Sequence, residues 1–365
     1  MFLEKFLALA SLGRVYKVKK AIGKMVNTDR GVLKITWDDE YSLKVQQELA
    51  IYKQQVNVHD LPEIYHYWSN KFLKPMFLRA GFDSIEEFFV RNMFDAAQRT
   101  EKGVARFASI GSGNCDLEIN LAKLLIDLGL ENFIFDCIEL NPIMLERGHQ
   151  LAQRHEMDHK FNFIESDFNT WKAALTKYDA VIANQSLHHV SDLEHLYDQI
   201  YNHLEHEGCF VISDMIGRNG HQRWPEALRL VHRFWQELPD NYKYNILLNR
   251  HEEIYENWDC SKEGFEGIRA EEVLPLLLCR FKCQKFIGFG NVIDIFVDRC
   301  FGHHFNPNNE SDKDFIDRVH EEDERGIRDG QLTPTHMLAV FAKELNKEPY
   351  YSRGISPEKF VRRQS

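Results

Sequence analysis

The stretch "FASIGSGNCDLEINLAKLL", Phe107 to Leu125, decides the fold. It opens as a short apolar strand, turns at Gly111 and Gly113, and runs on as an amphipathic helix from about Asp116. Two glycines at such a junction let the backbone bend sharply and approach a ligand with no Cβ in the way. The helix that follows offers its unpaired amides to that ligand.

The same alternation continues outward from this junction. From Val104 the apolar runs "VARFASI", "NFIFDCIEL", "FNFIES", "YDAVIANQ" and "CFVISDM" are separated by helix-like stretches, the pattern of an α/β fold with a doubly wound, mostly parallel sheet. Residues before 104 read as helices. "DSIEEFFVRNMFDAAQR" opens with Ser84 and Glu87 at capping-box spacing, followed by Phe88, Phe89, Met93, Phe94 and Ala97 on one face. After Met215 a long helical insertion is expected to about Trp258, and "CQKFIGFG" and "HMLAVFAKE" are two later strands flanking the acidic helix "NESDKDFIDRVHEEDERGIRDGQ". The division expected is an N-terminal helical region at 1–103, a ligand-binding core at 104–215, insertions and last strands at 216–345, and a basic tail at 346–365.

Composition narrows the function. The chain has 365 residues, 44% of them hydrophobic and 28% charged, which suits one elaborated globular core, and no apolar run is long enough to span a bilayer. A net charge of −11 repels polyphosphate and disfavours nucleic-acid binding. The first 34 residues are an exception, with eight Lys or Arg against Glu4 and Asp29, and the opening "MFLEKFLALASLGRVYKVKK" reads as an amphipathic helix rather than a signal peptide. The cysteines at 115, 137, 209, 260, 279, 283 and 300 form no CxxC pair, which points to a reducing, cytoplasmic setting. Composition is compatible with a homodimer and does not specify one.

A dinucleotide-binding turn would place a third glycine where this chain has Asp116, a carboxylate that a pyrophosphate would meet at close range. A ligand with a cationic centre fits better, such as the sulfonium and α-amino group of S-adenosylmethionine. Glu139, at the end of "FIFDCIEL", stands where an acidic residue accepts both ribose hydroxyls of a nucleoside. Asp167 and Phe168 follow one strand later, a carboxylate for the adenine amino group and a ring for its face.

In series, "IGSG", "CIELN", "ESDF" and "VIANQSLHHV" followed by "GCFVISD" resemble the class I S-adenosylmethionine-dependent methyltransferases over about Val104 to Met215. That resemblance implies a seven-stranded Rossmann-like sheet with an antiparallel last strand. It also implies a donor site drawn from Ser109, Gly111, Gly113, Asp116, Glu139, Leu140, Asp167, Phe168 and Asn184. Two positions depart from the family: Ser109 stands where an acidic residue usually begins the glycine motif, and Cys115 where a third glycine often lies. Asp116 is placed to substitute for the missing acid.

On the acceptor side the expectation is methyl transfer to an O or N atom of a small or medium-sized polar molecule, of carbohydrate or secondary-metabolite type. The alternative is a non-catalytic nucleoside-binding regulatory or assembly protein. His188, His189 and His221 are the candidate bases. No metal is expected: adjacent histidines point to different faces, so at most one of His188 and His189 faces the methyl group, and no third ligand has a matching spacing. Arg223, Trp224, Arg229 and Tyr244, in the stretch after the fifth strand, are candidate acceptor contacts, with His66 and Trp68 in the N-terminal helices as the fallback.

Overall fold

The computed structural model describes residues 41, 44, 45, 61–100, 103–173, 177–262 and 264–362. The basic first 34 residues lie outside the described residues, as does the end of the basic tail.

The described chain opens with helix α1 (Glu63–Trp68), a wide π turn over Ser69–Leu73, and α2 (Lys74–Arg79), where Pro75 near the start lacks the N–H that a regular ladder needs. Helix α3 (Ile85–Thr100) starts at the expected cap: Ser84 Oγ accepts from the Glu87 amide at 3.1 Å, and the Glu87 carboxylate reaches back to the Asp83 amide at 2.6 Å. It buries Phe88, Phe89, Met93 and Ala97, with Phe94 half-buried at the margin.

The alternating segment then delivers β1 (Ala105–Ile110), α4 (Asp116–Asp127), β2 (Phe133–Glu139), α5 (Pro142–Arg154), β3 (Phe161–Glu165), β4 (Tyr178–Asn184), α6 (Leu193–His203) and β5 (Leu204–Met215). Helix α3 packs on β4 and β5, and Arg99 at its end donates to the Glu207 carbonyl. Ala180 to Ala183 are fully buried, as expected for a central parallel strand covered on both faces.

The expected helical insertion is helix only over α7 (Pro225–Glu237). Pro239 follows directly, and the chain turns into a two-stranded hairpin of β6 (Tyr244–Asn245) and β7 (Arg250–His251) before α8 (Ala270–Arg280). The sheet closes with β8 (Lys282–Phe289), the short α9 (Asp294–Val297), the acidic α10 (Glu310–Arg328) and β9 (His336–Ala342). Strand order is β10-β8-β9-β5-β4-β1-β2-β3, with β9 antiparallel to both neighbours. Seven of these match the expected set. The eighth, β10 (Tyr350–Tyr351), is a two-residue parallel addition to the edge at β8, where otherwise unpaired amides and carbonyls would remain.

The insertion has its own aromatic core. Trp235 meets Phe301 edge-on at 4.8 Å and Tyr255 at 5.5 Å, while Phe234 meets Phe315 of α10 at 5.8 Å. The five parallel strands β1 to β5 all end on one edge, and the order reverses between β1 and β4. That crevice is where an open α/β sheet binds ligands.

Candidate active site

At the end of β1 the chain folds back on β2: the amides of Gly111 and Ser112 both donate to the Ile138 carbonyl, at 2.9 and 3.2 Å. Gly111 has φ +74°, and a Cβ there would lie 2.5 Å from Ser186 Cβ and 3.7 Å from Phe168 Cζ. Both conformation and space therefore require glycine. Gly113 and Cys115 also have positive φ, and Cys115 thereby aims the start of α4.

Glu139 ends β2 directly below this turn. One of its oxygens accepts from the Gly113 amide at 3.0 Å and the other from the Asn141 amide at 2.9 Å, so the carboxylate is aimed by the backbone of both neighbouring turns. Leu140 is half-buried beside it. Asp116, at the first turn of α4, is exposed. Ser109 points the other way: it is buried, and its hydroxyl donates to Glu118 at 2.6 Å beneath the turn.

At the end of β3, Asp167 is half-buried and receives the amide and side-chain nitrogen of Asn169, each at 2.9 Å, and the hydroxyl of Tyr41. Asn169 Oδ1 in turn collects the Ser191 amide, the Ser191 hydroxyl and the Asp192 amide. Tyr41 also meets Phe265 edge-on at 5.4 Å, so a residue from before the sheet bridges the Asp167 end to the insertion. Burial and the adjoining Asp167 push the Tyr41 phenol up.

Beyond Asn184, Gln185 turns through φ +54°, and Ser186 returns its hydroxyl to the Ile110 carbonyl at 2.7 Å. This places the turn Leu187–His189 over the carboxyl ends of β4 and β5. Asp214, fully buried on β5, faces it: one oxygen accepts the amides of Ser186 and Leu187, and the other accepts the Met215 amide and contacts His188 Nδ1 at 2.6 Å.

The other side of the cluster comes from the insertion. The Gly220 amide donates to the Gly267 carbonyl at 2.9 Å, and the Ile268 amide to the His188 carbonyl at 3.1 Å, which brings two loops onto the turn. Gly220, with φ +63°, has no room for a side chain, since a Cβ would lie 2.0 Å from Asp259 Oδ1. His221 itself holds φ +54°, a conformation that costs about 1 to 3 kcal/mol in a non-glycine residue. Glu266 stands at the centre: Oε1 is 2.6 Å from His221 Nε2 and 3.4 Å from His188 Nε2, and Oε2 is 3.5 Å from His189 Nε2.

The adjacent histidines thus do not diverge. In a tight turn their rings lie 4.2 Å apart, and both approach Glu266. The third group that local spacing did not supply is Glu266, from a different loop. Burial opposes a charge on His188, but the Asp214 carboxylate and Glu266 win and push the imidazole up to about 10. Burial likewise opposes the charge on Glu266, yet the three imidazoles hold it well below the ordinary carboxylate range. His221 is pushed down by burial, against Glu266.

The expected acceptor contacts do not assemble around this cluster. Arg223 is buried and donates to the carbonyls of Asn291 and His221 and to Asp294, so it braces the insertion against α9. Trp224, the N-cap of α7, meets the guanidinium groups of both Arg218 and Arg362 with its ring. Arg229 is exposed on α7, and Tyr244 is exposed on the β6–β7 hairpin, bonded to Asn249 at 2.6 Å. In the N-terminal helices, Trp68 is buried and donates to His320 at 3.1 Å.

Four residues of the site escaped sequence reasoning: Tyr41, Asn169, Asp214 and Glu266. Only Asp214 carried a signal, an acid inside the apolar run "CFVISDM", because a buried carboxylate needs partners.

Residues 105–261 match the family model described as a methyltransferase domain. Curated relatives are sterol 24-C-methyltransferases: one from Aspergillus fumigatus is 27% identical over 134 residues (36% of this chain, 34% of the relative), and one from Candida albicans is 29% identical over 91 residues (25% of this chain, 24% of the relative). The chain spans about a third or less of the length of these relatives. Among solved structures, an O-methyltransferase of a Brevibacillus brevis polyketide synthase, in complex with S-adenosyl-L-homocysteine, is 12% identical with a TM-score of 0.41, covering 76% of this chain and 78% of that one.

Proposed function

We propose, from a chain whose residues 105–261 are a class I S-adenosylmethionine-dependent methyltransferase domain, that this protein transfers the methyl group of S-adenosylmethionine to an oxygen or nitrogen of a small or medium-sized polar acceptor. The observation that carries the reading is Glu266 surrounded by three imidazoles at the carboxyl ends of β4 and β5.

The donor site would lie across Gly111, Gly113, Glu139, Asp167 and Phe168, with Leu140 beside it and Asn184 toward the methyl group. The residues fit that ligand. Gly111 keeps the turn open where a side chain would fill it, and Glu139 is a carboxylate aimed by two backbone amides at the end of β2, an acceptor of the kind that ribose hydroxyls need. Asp116 is the acidic group closest in sequence to the turn for the donor's amino group. Ser109 supports the turn from below through Glu118.

In transfer to a hydroxyl, the acceptor oxygen forms a bond to the methyl carbon as the carbon–sulfur bond breaks, the electron pair stays on sulfur, and the hydroxyl proton leaves. The histidine–carboxylate cluster receives that proton and holds the acceptor in line, which supplies much of the rate. Arg223 and Tyr244 lie with the insertion's own framework and Trp224 packs against Arg218 and Arg362, while Arg229, exposed on α7, is left for the acceptor's outer end.

Incubation with methyl-labelled S-adenosylmethionine and fractionated polar metabolites tests the reading. Labelled product with an O-methyl or N-methyl linkage is expected. Donor binding without transfer to any fraction would favour the regulatory alternative, and a C-methyl product would overturn the acceptor assignment.

A further inference from the structure

We infer that His188, His221 and Glu266 form a binding site for a divalent transition ion of the zinc type, with Asp214 orienting the His188 ligand. Each residue offers one ligand atom, and these atoms lie within 4.8 Å of one another, close enough for one ion to touch all of them. Two imidazoles and a carboxylate are a ligand set of catalytic zinc sites, which keep a further position open for water or substrate.

Three observations support a built site. Glu266 is a buried carboxylate whose ionic partners among the described residues are imidazoles alone, and a buried anion is costly unless a cation meets it. Its Oε2, like His188 Nε2 and His221 Nδ1, is buried without a hydrogen-bond partner, so the cluster holds more polar capacity than its internal bonds use. Finally, Asp214 takes His188 Nδ1 at 2.6 Å and is itself anchored by the amides of Ser186, Leu187 and Met215. That fixes the ring with Nε2 toward Glu266. A carboxylate behind a histidine ligand is the support that metal sites use to set tautomer and orientation.

The competing account is a cluster held together by protons alone, which needs no ion. The catalytic consequence of the metal deepens the proposed function, since an acceptor oxygen could occupy the open position and be acidified there. The binding claim rests only on the geometry.

The experiment is therefore run without donor or acceptor. Protein stripped with a chelator is titrated with zinc chloride by calorimetry, and with cobalt(II) chloride by visible absorption. About one ion per chain is expected, with the visible bands of a histidine–carboxylate site. Asp214→Asn should weaken binding by about 10- to 100-fold, and Glu266→Gln and His221→Ala by more. Circular dichroism reports whether each variant is folded. No uptake by folded wild type, or uptake unchanged in a folded Glu266→Gln/His221→Ala double variant, overturns the proposal. Methyl transfer by stripped protein that takes up no ion would reject the metal and keep the proposed function. Tight binding in a protein that transfers no methyl group would do the reverse.

Discussion

His221 Nε2 lies 2.6 Å from Glu266 Oε1, although 45 positions separate them and neither stands on a strand of the sheet. The contact depends on the Gly220–Gly267 backbone bond and on a left-handed His221. Glu266→Gln and His221→Ala should each lower kcat by about 100- to 10,000-fold, the usual range for a positioned proton-transfer group. Donor affinity, followed by calorimetry, should stay within about twofold because the donor residues lie on other loops. Equal loss of donor binding in a folded variant would place the cluster in the donor site instead.

Gly111→Ala should be severe. A Cβ would sit 2.5 Å from Ser186 Cβ at φ +74°, so both strain and overlap act on the turn that joins β1 to α4. Strained backbone and overpacking each cost about 1 to 3 kcal/mol. A fall in melting temperature together with lost donor binding is expected, and a fully stable protein with normal binding would contradict the close approach.

Glu139→Ala should weaken S-adenosylmethionine binding more than Asp167→Ala. Hydrogen bonds to charged groups contribute about 1.5 to 3 kcal/mol each, and Glu139 also holds the Gly113 and Asn141 amides that shape both turns. Asp167 is steadied by Asn169 and Tyr41, so Tyr41→Phe should produce a milder form of the Asp167 defect. Titration of the donor into each variant would rank them, and Asp167→Ala as the weaker binder would reverse the assignment of the larger role.

Two groups beside the N-terminal helices, His320 half-buried and Asp323 buried, should give opposing pH dependences. Burial pushes His320 down to about 4, against the charge of Glu324, while Arg353, Asp317 and Lys71 also face it. Its contribution is present above the unfolded value of 6.5 and lost as pH falls toward 4. Burial and the neighbouring Asp294 push Asp323 up to about 7, against the Val292 and Ile293 amides and Arg223. Its contribution is present below 3.8 and lost as pH rises through 7. Urea unfolding between these limits should show His320→Gln losing stability relative to wild type as pH rises, and Asp323→Asn gaining it. Parallel profiles for all three proteins would show that neither group is held as described.

The order of strands and the place of the glycine turn were legible because both are local. An apolar run bounded by glycine or by an acid at its end records that a strand is buried along its length and emerges at a ligand, and β1 to β5 preserve that record from Ala105 to Met215. Glu139 and Asp167 were singled out for the same reason, since each lies at or just past the end of such a run. The acceptor side left no such trace. Arg223 looks in sequence like a binding residue, yet it is the brace between the insertion and Asp294. His188 and His189 appeared to diverge because alternation was assumed where the chain makes a tight turn. Glu266 lies 45 positions from His221 and meets it only because loops from opposite ends of the insertion pack on the β4 and β5 ends. Local periodicity encodes burial within one element. Which loops converge on the exposed edge is set by packing between elements, and only the tertiary structure decides it.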